Sequence, residues 1–161
     1  MYLNQDITFG CFTREGNRLV AVDCLYVRNI HDIFPKLTNE WGEPFINFIK
    51  YVRVIERRIR YQCAYKKCNY LSSFGVITSP AYRGIGIPGE MIKMRSRIAR
   101  TLRIEVIGSA FIGTEMQEAA KKYRYKVLET LNGPEDMKEV GLDFMFGNIF
   151  PIKIMAIAFR N

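Results

Sequence analysis

The chain concentrates its most informative residues in one run, Ser79-Pro80-Ala81-Tyr82-Arg83-Gly84-Ile85-Gly86-Ile87-Pro88-Gly89. An apolar run over Phe74–Thr78 precedes it and predicts a short strand, and an amphipathic run from about Gly89 to Leu102 follows and predicts a helix. Glycines in such a connection let backbone N–H groups turn toward one point, and the helix adds the positive end of its dipole. The run therefore predicts a loop that binds a diphosphate, or else a tight strand-to-helix turn without a ligand.

A dinucleotide-binding motif is the competing interpretation, because Gly84, Gly86 and Gly89 have the spacing G-x-G-x-x-G. In that motif the first glycine lies directly at the end of the strand, whereas here Ser79–Arg83 intervene. The acidic residue about 20 positions further on should also end the next strand, but Glu105 begins it. The sequence therefore does not favour a dinucleotide site.

The residues before the loop predict a hairpin and a long helix. Two β-rich runs, Ile7–Thr13 and Leu19–Val27, flank a turn centred on Gly16 and Asn17. After an irregular segment, a helix is predicted from about Phe45 to Ile59. Its apolar residues fall three and four apart and predict one buried stripe, while its charged residues lie largely off that stripe. The stripe is Phe45, Phe48, Ile49, Val52, Ile55 and Ile59, and the charged residues are Arg53, Glu56, Arg57 and Arg60.

The residues after the loop helix predict three more extended segments, one helix and one break, and no internal repeat or linker divides the chain. We therefore expect a single domain over residues 1–161. The predicted elements are a strand at Ile104–Ala110, a helix at Thr114–Lys122, an extended run at Lys126–Leu131, a break at Asn132-Gly133-Pro134 and a last strand at Ile152–Phe159.

The loop and the residues after it resemble a known family. Pro80-x-Tyr82-Arg83-Gly84-x-Gly86-Ile87 is similar to the acetyl-CoA pyrophosphate loop of the GNAT N-acetyltransferases. Ile152–Ala156 resembles the closing strand of the insect arylalkylamine N-acetyltransferase-like branch. The strand-to-helix stretch of the same branch is similar to Phe111-Ile112-Gly113-Thr114, followed by Gln117, Ala120 and Lys122.

The resemblance implies an α/β fold of the α+β type, the acyl-CoA N-acyltransferase fold, in which helices flank a mixed and mostly antiparallel sheet. The sheet splays open after the strand that carries Ile77 and Thr78, and acetyl-CoA lies in the opening. Residues from about 70 to 131 correspond to the cofactor-binding core. The first strand and first two helices of the family have no counterpart in this sequence, so the fold is expected to be shortened at its N-terminus.

The resemblance also implies the chemistry. A small amine, an arylalkylamine in this branch, attacks the thioester of acetyl-CoA directly; a base, often a glutamate acting through water, takes the amine proton. A backbone N–H of the strand polarises the acetyl carbonyl. No catalytic side chain carries over. The pyrophosphate contacts carry over to Arg83, Gly84, Ile85, Gly86, Ile87, Pro88 and Gly89, and the carbonyl-facing backbone to Ile77 and Thr78.

Departures from the family favour an alternative, a catalytically impaired CoA-binding or protein-interaction module. Pro88 stands where the family commonly has Gly or Ala, so one backbone N–H is absent. Met116 stands where the branch usually has a serine, and Ala120 where many GNAT enzymes have an acid tyrosine. Tyr123 is near in sequence but lies on another helical face. The N-terminal segment without a counterpart supplies much of the acceptor pocket and the catalytic glutamate in this branch.

Composition and charge restrict the remaining function classes. With 161 residues, 48% hydrophobic and 25% charged, the chain predicts a globular domain. No apolar run is long enough to span a bilayer and residues 1–10 do not form a signal peptide, so we expect a cytoplasmic protein without a membrane partner. The net charge of +8 attracts polyanions, but the basic residues are scattered and predict no nucleic-acid partner. Four basic residues at helical spacing either attract the cofactor phosphates or complement the helix dipole: Lys93, Arg97, Arg100 and Arg103.

A few further residues are chemically notable. Cys63 and Cys68 would need two more ligands to hold zinc, and His31 is the only histidine, so no metal site is predicted. Asp23 is a lone carboxylate inside a predicted strand, and we expect it to face outward or to be paired locally rather than to act as a base. Trp41 is either a loop anchor or part of an acceptor wall.

Overall fold

A computed structural model of the protein describes residues 5–34, 36–63, 69–142 and 151–159. The elements along the chain are β1 (Phe9–Phe12), β2 (Leu19–Asn29), α1 (Glu43–Cys63), β3 (Asn69–Thr78), α2 (Ile87–Thr101), β4 (Val106–Ile112), α3 (Thr114–Lys122), β5 (Lys126–Leu131), α4 (Pro134–Glu139) and β6 (Ile152–Ala158). The strands form a six-stranded sheet in the order β1-β2-β3-β4-β6-β5. Every neighbouring pair is antiparallel except β3 and β4, which run parallel. This mixed, mostly antiparallel sheet with flanking helices confirms the predicted fold class.

The hairpin of β1 and β2 forms as predicted, and its turn explains why. Gly16 has φ of +74° and Asn17 has φ of +47°. Glycine and asparagine are the residues that adopt this left-handed conformation most readily. Across the turn, the N–H of Thr13 donates to the carbonyl of Arg18 at 2.9 Å. The turn is therefore encoded by the residues that occupy it.

One face of the sheet is covered by α1, which packs against β3, β4, β5 and β6. Gly108 in β4 permits a close approach, because a Cβ atom there would lie 2.5 Å from Cγ1 of the buried Ile59. The core on this face joins α1, α4 and the strands through Val54, Ile55, Ile59, Tyr70, Val106, Leu131, Met137, Leu142, Ile152 and Ile154.

The predicted apolar stripe of α1 is only partly buried. Phe45 and Phe48, at its N-terminal end, remain 36% and 37% exposed, because they face other aromatic rings rather than the close-packed core. Glu56, predicted to lie largely off the stripe, is instead fully buried. The stripe is confirmed for Ile49, Val52, Ile55 and Ile59, all buried.

The opposite face of the sheet is covered by α2 and α3, which also contact each other. Consecutive strand residues point to opposite faces. Tyr70 accordingly belongs to the core beneath α1, and Leu71 to the core beneath α2. The second core contains Leu25, Leu71, Ile92, Ala99, Ile104, Ile107, Phe111, Ala120, Tyr125 and Met155.

The predicted and observed boundaries of the helices and strands agree best where the sequence pattern is strongest. α3 and β5 have the predicted bounds, whereas β3 begins at Asn69 because Asn69–Ser73 pairs with β2. The sequence does not predict α4, since Pro134 was interpreted as a break. Pro134 instead begins a helix, where its fixed φ and missing N–H are tolerated. Among the described residues, no helix combines the length and apolar character needed to cross a membrane.

Candidate cofactor and acceptor site

The sheet opens between β3 and β4. These parallel strands share only the register pairs Tyr70↔Val106 and Leu71↔Ile107. Beyond them, β3 continues along β2 as far as Thr78, and β4 continues along β6 as far as Ile112. The two strands therefore separate toward their carboxyl ends and leave an opening, as the resemblance implies. In open sheets with parallel strands, this is the end at which ligands bind.

A bulge in β3 lies at the start of this opening. Asp23 pairs with Val76 and Leu25 with Ser73, so β3 has one more residue than β2 between these pairs. Gly75 in the bulge has φ of +131°, a conformation that few other residues adopt. The bulge redirects the last residues of β3 at the point where that strand leaves β4.

The predicted carbonyl-facing residues follow the bulge. Ile77 pairs with Val22 and Thr78 with Ala21 on the β2 side. Among the described residues, no strand pairs with the other edge of this segment, and Ile77 is 72% exposed. Backbone groups alternate in direction along a strand, so part of this segment directs its N–H and C=O groups into the opening.

In the loop from Arg83 to Ile87, the N–H groups of Gly84 to Ile87 have no backbone acceptor among the described residues. Gly84 has φ of +76° and Gly86 has φ of +85°, and a Cβ atom on either would meet no protein atom within 4 Å. The backbone hydrogen bonds described around the loop use the N–H groups of Tyr82 and Arg83, but not those of Gly84 to Ile87. Free N–H groups, open space and positive φ together suit an oxyanion such as a phosphate.

The start of α2 places Pro88 where proline is tolerated. Gly86 is the N-cap, Ile87 is the first helical residue and Pro88 the second, so the missing N–H is one that has no partner within the helix. The N–H of Gly89 donates to the carbonyl of Gly86 at 3.1 Å and is already engaged. A Cβ atom at Gly89 would lie 3.9 Å from Cβ of Ala119, so Gly89 also faces α3.

Arg83 adds a positive charge beside these backbone N–H groups. Its side chain is exposed, and Nε lies 3.4 Å from the carbonyl oxygen of Thr78. Next to it, the guanidinium of Arg18 lies 6.0 Å from the ring centroid of Tyr82 and adds a second cation. Two arginines near free N–H groups make this end of α2 attractive to an anion.

Asp23 does not face outward, so that part of the prediction is wrong. It is paired, as the alternative predicted, but with partners 50 and 72 positions away in the chain. It is fully buried, and Arg95 of α2 contacts both of its oxygens, Nε to Oδ2 at 2.7 Å and Nη2 to Oδ1 at 3.1 Å. The hydroxyl of Ser73 also donates to Oδ1 at 2.6 Å. A carboxylate with this set of donors is not free to take a proton from a substrate.

An aromatic row lies on the α1 side of the sheet and ends at the bulge of β3. Trp41 lies 5.4 Å from Phe45 between ring centroids, Phe45 lies 6.4 Å from Phe48, and Phe48 lies 5.3 Å from Phe74. Phe74 stacks on buried Tyr26 at 4.4 Å. Phe74 lies within the bulge, so the row leads from the surface on α1 to the place where β3 and β4 separate. The sequence marks Trp41 but misses its partners, because Phe45 and Phe48 fit the pattern of core residues.

A second buried carboxylate, Glu56 of α1, lies on the same face as the aromatic row. Nη2 of Arg60 lies 3.6 Å from its Oε2. Burial raises the pKa of Glu56 above its ordinary value, and the charges of Arg28 and Arg60 oppose that shift. The sequence does not identify this group, since its helical position predicts a solvent-facing charge.

The other residues compared with the family lie around α3. Ala120 is fully buried in the core beneath α2 and α3, and Met116 packs against the same core. The hydroxyl of Tyr123 lies 3.5 Å from Oε1 of Glu90, in the first turn of α2. Burial raises the pKa of Tyr125 to about 12, so that its hydroxyl stays protonated at neutral pH. Ala120 and Met116 carry no acid–base group, so these two positions supply neither the acid nor the base of the family.

Two of the basic residues at helical spacing in α2 contact neighbouring side chains on the surface. Lys93 pairs with Glu90 at 3.1 Å, and the guanidinium of Arg100 lies 5.7 Å from the ring centroid of Phe159. Among described residues, no group of three or more His, Cys, Asp or Glu side chains is placed to hold a metal ion. The position of Cys68 and the side chain of Cys63 lie outside the described part of the chain.

Comparison with known proteins identifies the fold. No family model matches the sequence, and no curated protein matches it. A protein of the yellow fever mosquito Aedes aegypti, assigned as arylalkylamine N-acetyltransferase 7, has a similar structure with a TM-score of 0.78 and 23% sequence identity. The match covers 98% of this chain and 66% of the mosquito protein, so this chain spans about two thirds of that protein's length.

Two further solved structures are similar. Polyamine N-acetyltransferase of Drosophila melanogaster, which forms N-acetylagmatine, matches with a TM-score of 0.71 and 12% identity over 96% of this chain and 74% of its own. Arabidopsis thaliana NAA60 in complex with acetyl-CoA matches with a TM-score of 0.54 and 12% identity over 91% of this chain and 71% of its own. The chain therefore has the acyl-CoA N-acyltransferase fold of the GNAT proteins.

Proposed function

We propose that this chain binds acetyl-CoA and transfers its acetyl group to the primary amine of a small molecule with an aromatic or other apolar body. The observation that carries this proposal is the opening between β3 and β4, which begins at a bulged strand and ends beside a loop with free N–H groups. The three structural neighbours support it, because each is named as an N-acetyltransferase or holds acetyl-CoA.

The loop fits the pyrophosphate of acetyl-CoA. The space above Gly84 and Gly86 is open, and the N–H groups of Gly84, Ile85, Gly86 and Ile87 have no backbone acceptor of their own among the described residues. The guanidinium of Arg83 supplies charge beside them. Pyrophosphate oxygens would accept hydrogen bonds from these groups at the positive end of the α2 dipole.

Bound acetyl-CoA supplies an acetyl thioester to the opening. The amine nitrogen of the acceptor forms a bond to the carbonyl carbon, the carbon–sulfur bond breaks, and the sulfur leaves with its electron pair. The nitrogen loses one proton to water, and the thiolate takes up one proton from water to give the CoA thiol. A backbone N–H of the segment after Gly75 would donate to the carbonyl oxygen, where negative charge develops in the transition state. Asp23 does not serve as the base that takes the amine proton, because its oxygens already bind Arg95 and Ser73.

The aromatic row favours an acceptor with an aromatic or apolar body. Trp41, Phe45 and Phe48 each remain more than one third exposed, although they pack ring to ring. Such a row offers flat apolar contacts to a ring or an alkyl chain. Its inner end at Phe74 lies beside the opening, where the amine would meet the thioester.

The first test is calorimetric titration with acetyl-CoA, and with NAD as the comparison. We expect acetyl-CoA to bind and NAD not to bind. Gly86→Val should abolish binding, because its branched side chain would fill the space above the loop at a φ of +85°. Gly141→Val is the matched control, since Gly141 has φ of +78° and equally open space near α4. Equal acetyl-CoA affinity in wild type and Gly86→Val would show that the loop is only a turn.

Pro88→Gly tests the missing donor. The substitution adds an N–H at the second position of α2 and loosens both the loop and the unfolded chain. We expect acetyl-CoA to bind more tightly, by up to about tenfold, while the free energy of unfolding falls. Titration and chemical denaturation of the two proteins separate the effects. Unchanged or weaker affinity would contradict the donor argument.

The second candidate function is CoA binding without acetyl transfer. It is favoured by Ala120, which is buried in the core at the position where many related enzymes have an acid tyrosine. Thiol release from acetyl-CoA, measured with arylalkylamines and polyamines as acceptors, distinguishes the two. Amine-dependent release supports transfer, and tight acetyl-CoA binding without release supports the binding module.

A further inference from the structure

Arg95, Asp23 and Ser73 form a buried polar network between α2 and the bulge of β3. Their exposed fractions are 1%, 0% and 5%. Arg95 lies on the apolar stripe of α2 with Met91, Ile92 and Ala99, and it is among the largest fully buried side chains of the described residues. A fully buried arginine is uncommon unless it is paired, and here the pairing is bidentate.

The hydroxyl of Ser73 joins the ion pair to the backbone of the bulge. Its Oγ accepts from Nη2 of Arg95 at 3.0 Å and from the N–H of Gly75 at 2.9 Å, and it donates to Oδ1 of Asp23 at 2.6 Å. From β4, the hydroxyl of Ser109 donates to the carbonyl of Ser73 at 3.1 Å. Three strands and one helix therefore hold the residue that begins the bulge.

The network also connects the two ends of the opening. Arg95 lies roughly 13 Å along α2 from its N-cap at Gly86, given the rise of an α-helix. The helix carries the phosphate-binding loop at that N-cap, and the bulge begins the segment that faces the thioester. One ion pair thus sets the position of α2, and with it the loop, relative to the bulged strand.

We propose that Arg95, Asp23 and Ser73 are positioning residues that hold the bulge of β3 in the conformation that receives the acetyl group. The inference rests on the proposed function, because it assigns a role within the same site. Ser73 transmits the position of the ion pair to the N–H of Gly75, and the backbone of Val76 to Thr78 follows from that position. None of the three side chains needs to touch the acetyl group.

The test compares the affinities of acetyl-CoA and CoA by calorimetric titration. CoA lacks the acetyl carbonyl, so only acetyl-CoA can accept a hydrogen bond at that oxygen from the backbone after the bulge. Ser73→Ala removes the hydroxyl but leaves the Arg95–Asp23 pair intact. We expect it to weaken acetyl-CoA binding by about three- to tenfold, and CoA binding by less than about twofold.

Ser72→Ala is the matched control. Ser72 is the preceding residue of the same strand, is 1% exposed, and its hydroxyl has no hydrogen-bond partner in the described part of the chain. Because it points to the opposite face, Ser72→Ala should leave the ratio of the two affinities unchanged. A merely structural role for Ser73 would lower the melting temperature without changing that ratio.

The outcomes separate this inference from the proposed function. If the wild-type chain binds neither acetyl-CoA nor CoA, both fail. If it binds both and Ser73→Ala leaves their ratio unchanged, only the positioning role is overturned. If Ser73→Ala does not melt cooperatively, Ser109→Ala decides. It releases the Ser73 carbonyl from β4, and an unchanged ratio in that variant also overturns the inference.

Discussion

The two faces of the sheet each bury a carboxylate, and they treat it differently. Asp23, beneath α2, receives two contacts from Arg95 and one from the Ser73 hydroxyl, all between 2.6 and 3.1 Å. Glu56, on α1 itself, is equally buried, but its contact with Arg60 is 3.6 Å long. Burial raises the pKa of Glu56. The charges of Arg28 and Arg60 and hydrogen bonds with Tyr70 and Tyr26 oppose that shift, so the partners of Glu56 offset the cost of burial only in part.

The two faces also differ in the interactions that hold their helices against the sheet. On the α2 face, directional bonds fix the position of α2, and of the Arg83–Ile87 loop before it, relative to the bulge of β3. The α1 face combines apolar packing, with Ile59 against Gly108, with side-chain bonds that are partly exposed, such as Arg58 to Glu129 of β5. Directional bonds specify a geometry, whereas apolar contacts supply stability without direction. The loop that we propose binds acetyl-CoA precedes α2, on the face that carries this network.

The largest effect is expected from breaking the ion pair of the α2 face. Arg95→Met leaves Asp23 buried without its cation and should lower the free energy of unfolding by about 3–5 kcal/mol. Urea denaturation measures the change. Lys93→Met, which breaks an exposed pair on the same helix, should change it by less than about 1 kcal/mol. Comparable small losses in both variants would contradict the comparison.

Gly108→Ala tests the packing of the α1 face. The new Cβ atom would lie 2.5 Å from Cγ1 and 3.0 Å from Cγ2 of Ile59, the two atoms bonded to its Cβ, so relieving the clash requires α1 to shift. We expect a loss of about 1–3 kcal/mol in the free energy of unfolding. Ile59→Ala in the same chain should offset part of this loss, giving a favourable coupling in a double-mutant cycle. Gly133→Ala is the control, since no protein atom lies within 4 Å of its Cβ position.

The smallest effect concerns the pH dependence of stability. A raised pKa means that the folded state holds the Glu56 proton more tightly than the unfolded state does. Its contribution to stability is therefore present below the ordinary pKa of 4.5 and is lost as pH rises through the raised value. Glu56→Gln removes this dependence, so the stability of Glu56→Gln relative to wild type should increase as pH rises across that window.

Glu118 supplies the control of opposite sign. The hydrogen bond and charge of Lys121 lower the pKa of Glu118, so its contribution is present above the ordinary pKa and lost as pH falls. Across the same pH range, the free energy of unfolding of Glu118→Gln relative to wild type should change in the opposite direction. The change should be smaller, because solvent screens the exposed pair. An identical trend in both variants would contradict the assignment to Glu56.

Much of the fold is predictable because its signals are local. The helical spacing of Thr114–Lys122 and the extended run Lys126–Leu131 set those elements at the observed bounds. The glycines at 84 and 86 have the positive φ values that a loop leading into a helix requires. Pro134 shows the limit of local reading, because the same residue that ends one segment begins another.

The features of the candidate site also divide into those set by local residues and those set by residues distant in the chain. Local residue types are sufficient to mark the loop, its helix and the hairpin turn, because glycine, proline and asparagine act on their own backbone. The pairing of Asp23 with Arg95 spans 72 positions, and the aromatic row joins Trp41 to Phe74 through α1. The burial of Glu56 and the parting of β3 from β4 likewise depend on which elements lie beside them. Such contacts were decided only by the tertiary structure, because burial and bond geometry belong to neighbours in space rather than to neighbours in the chain.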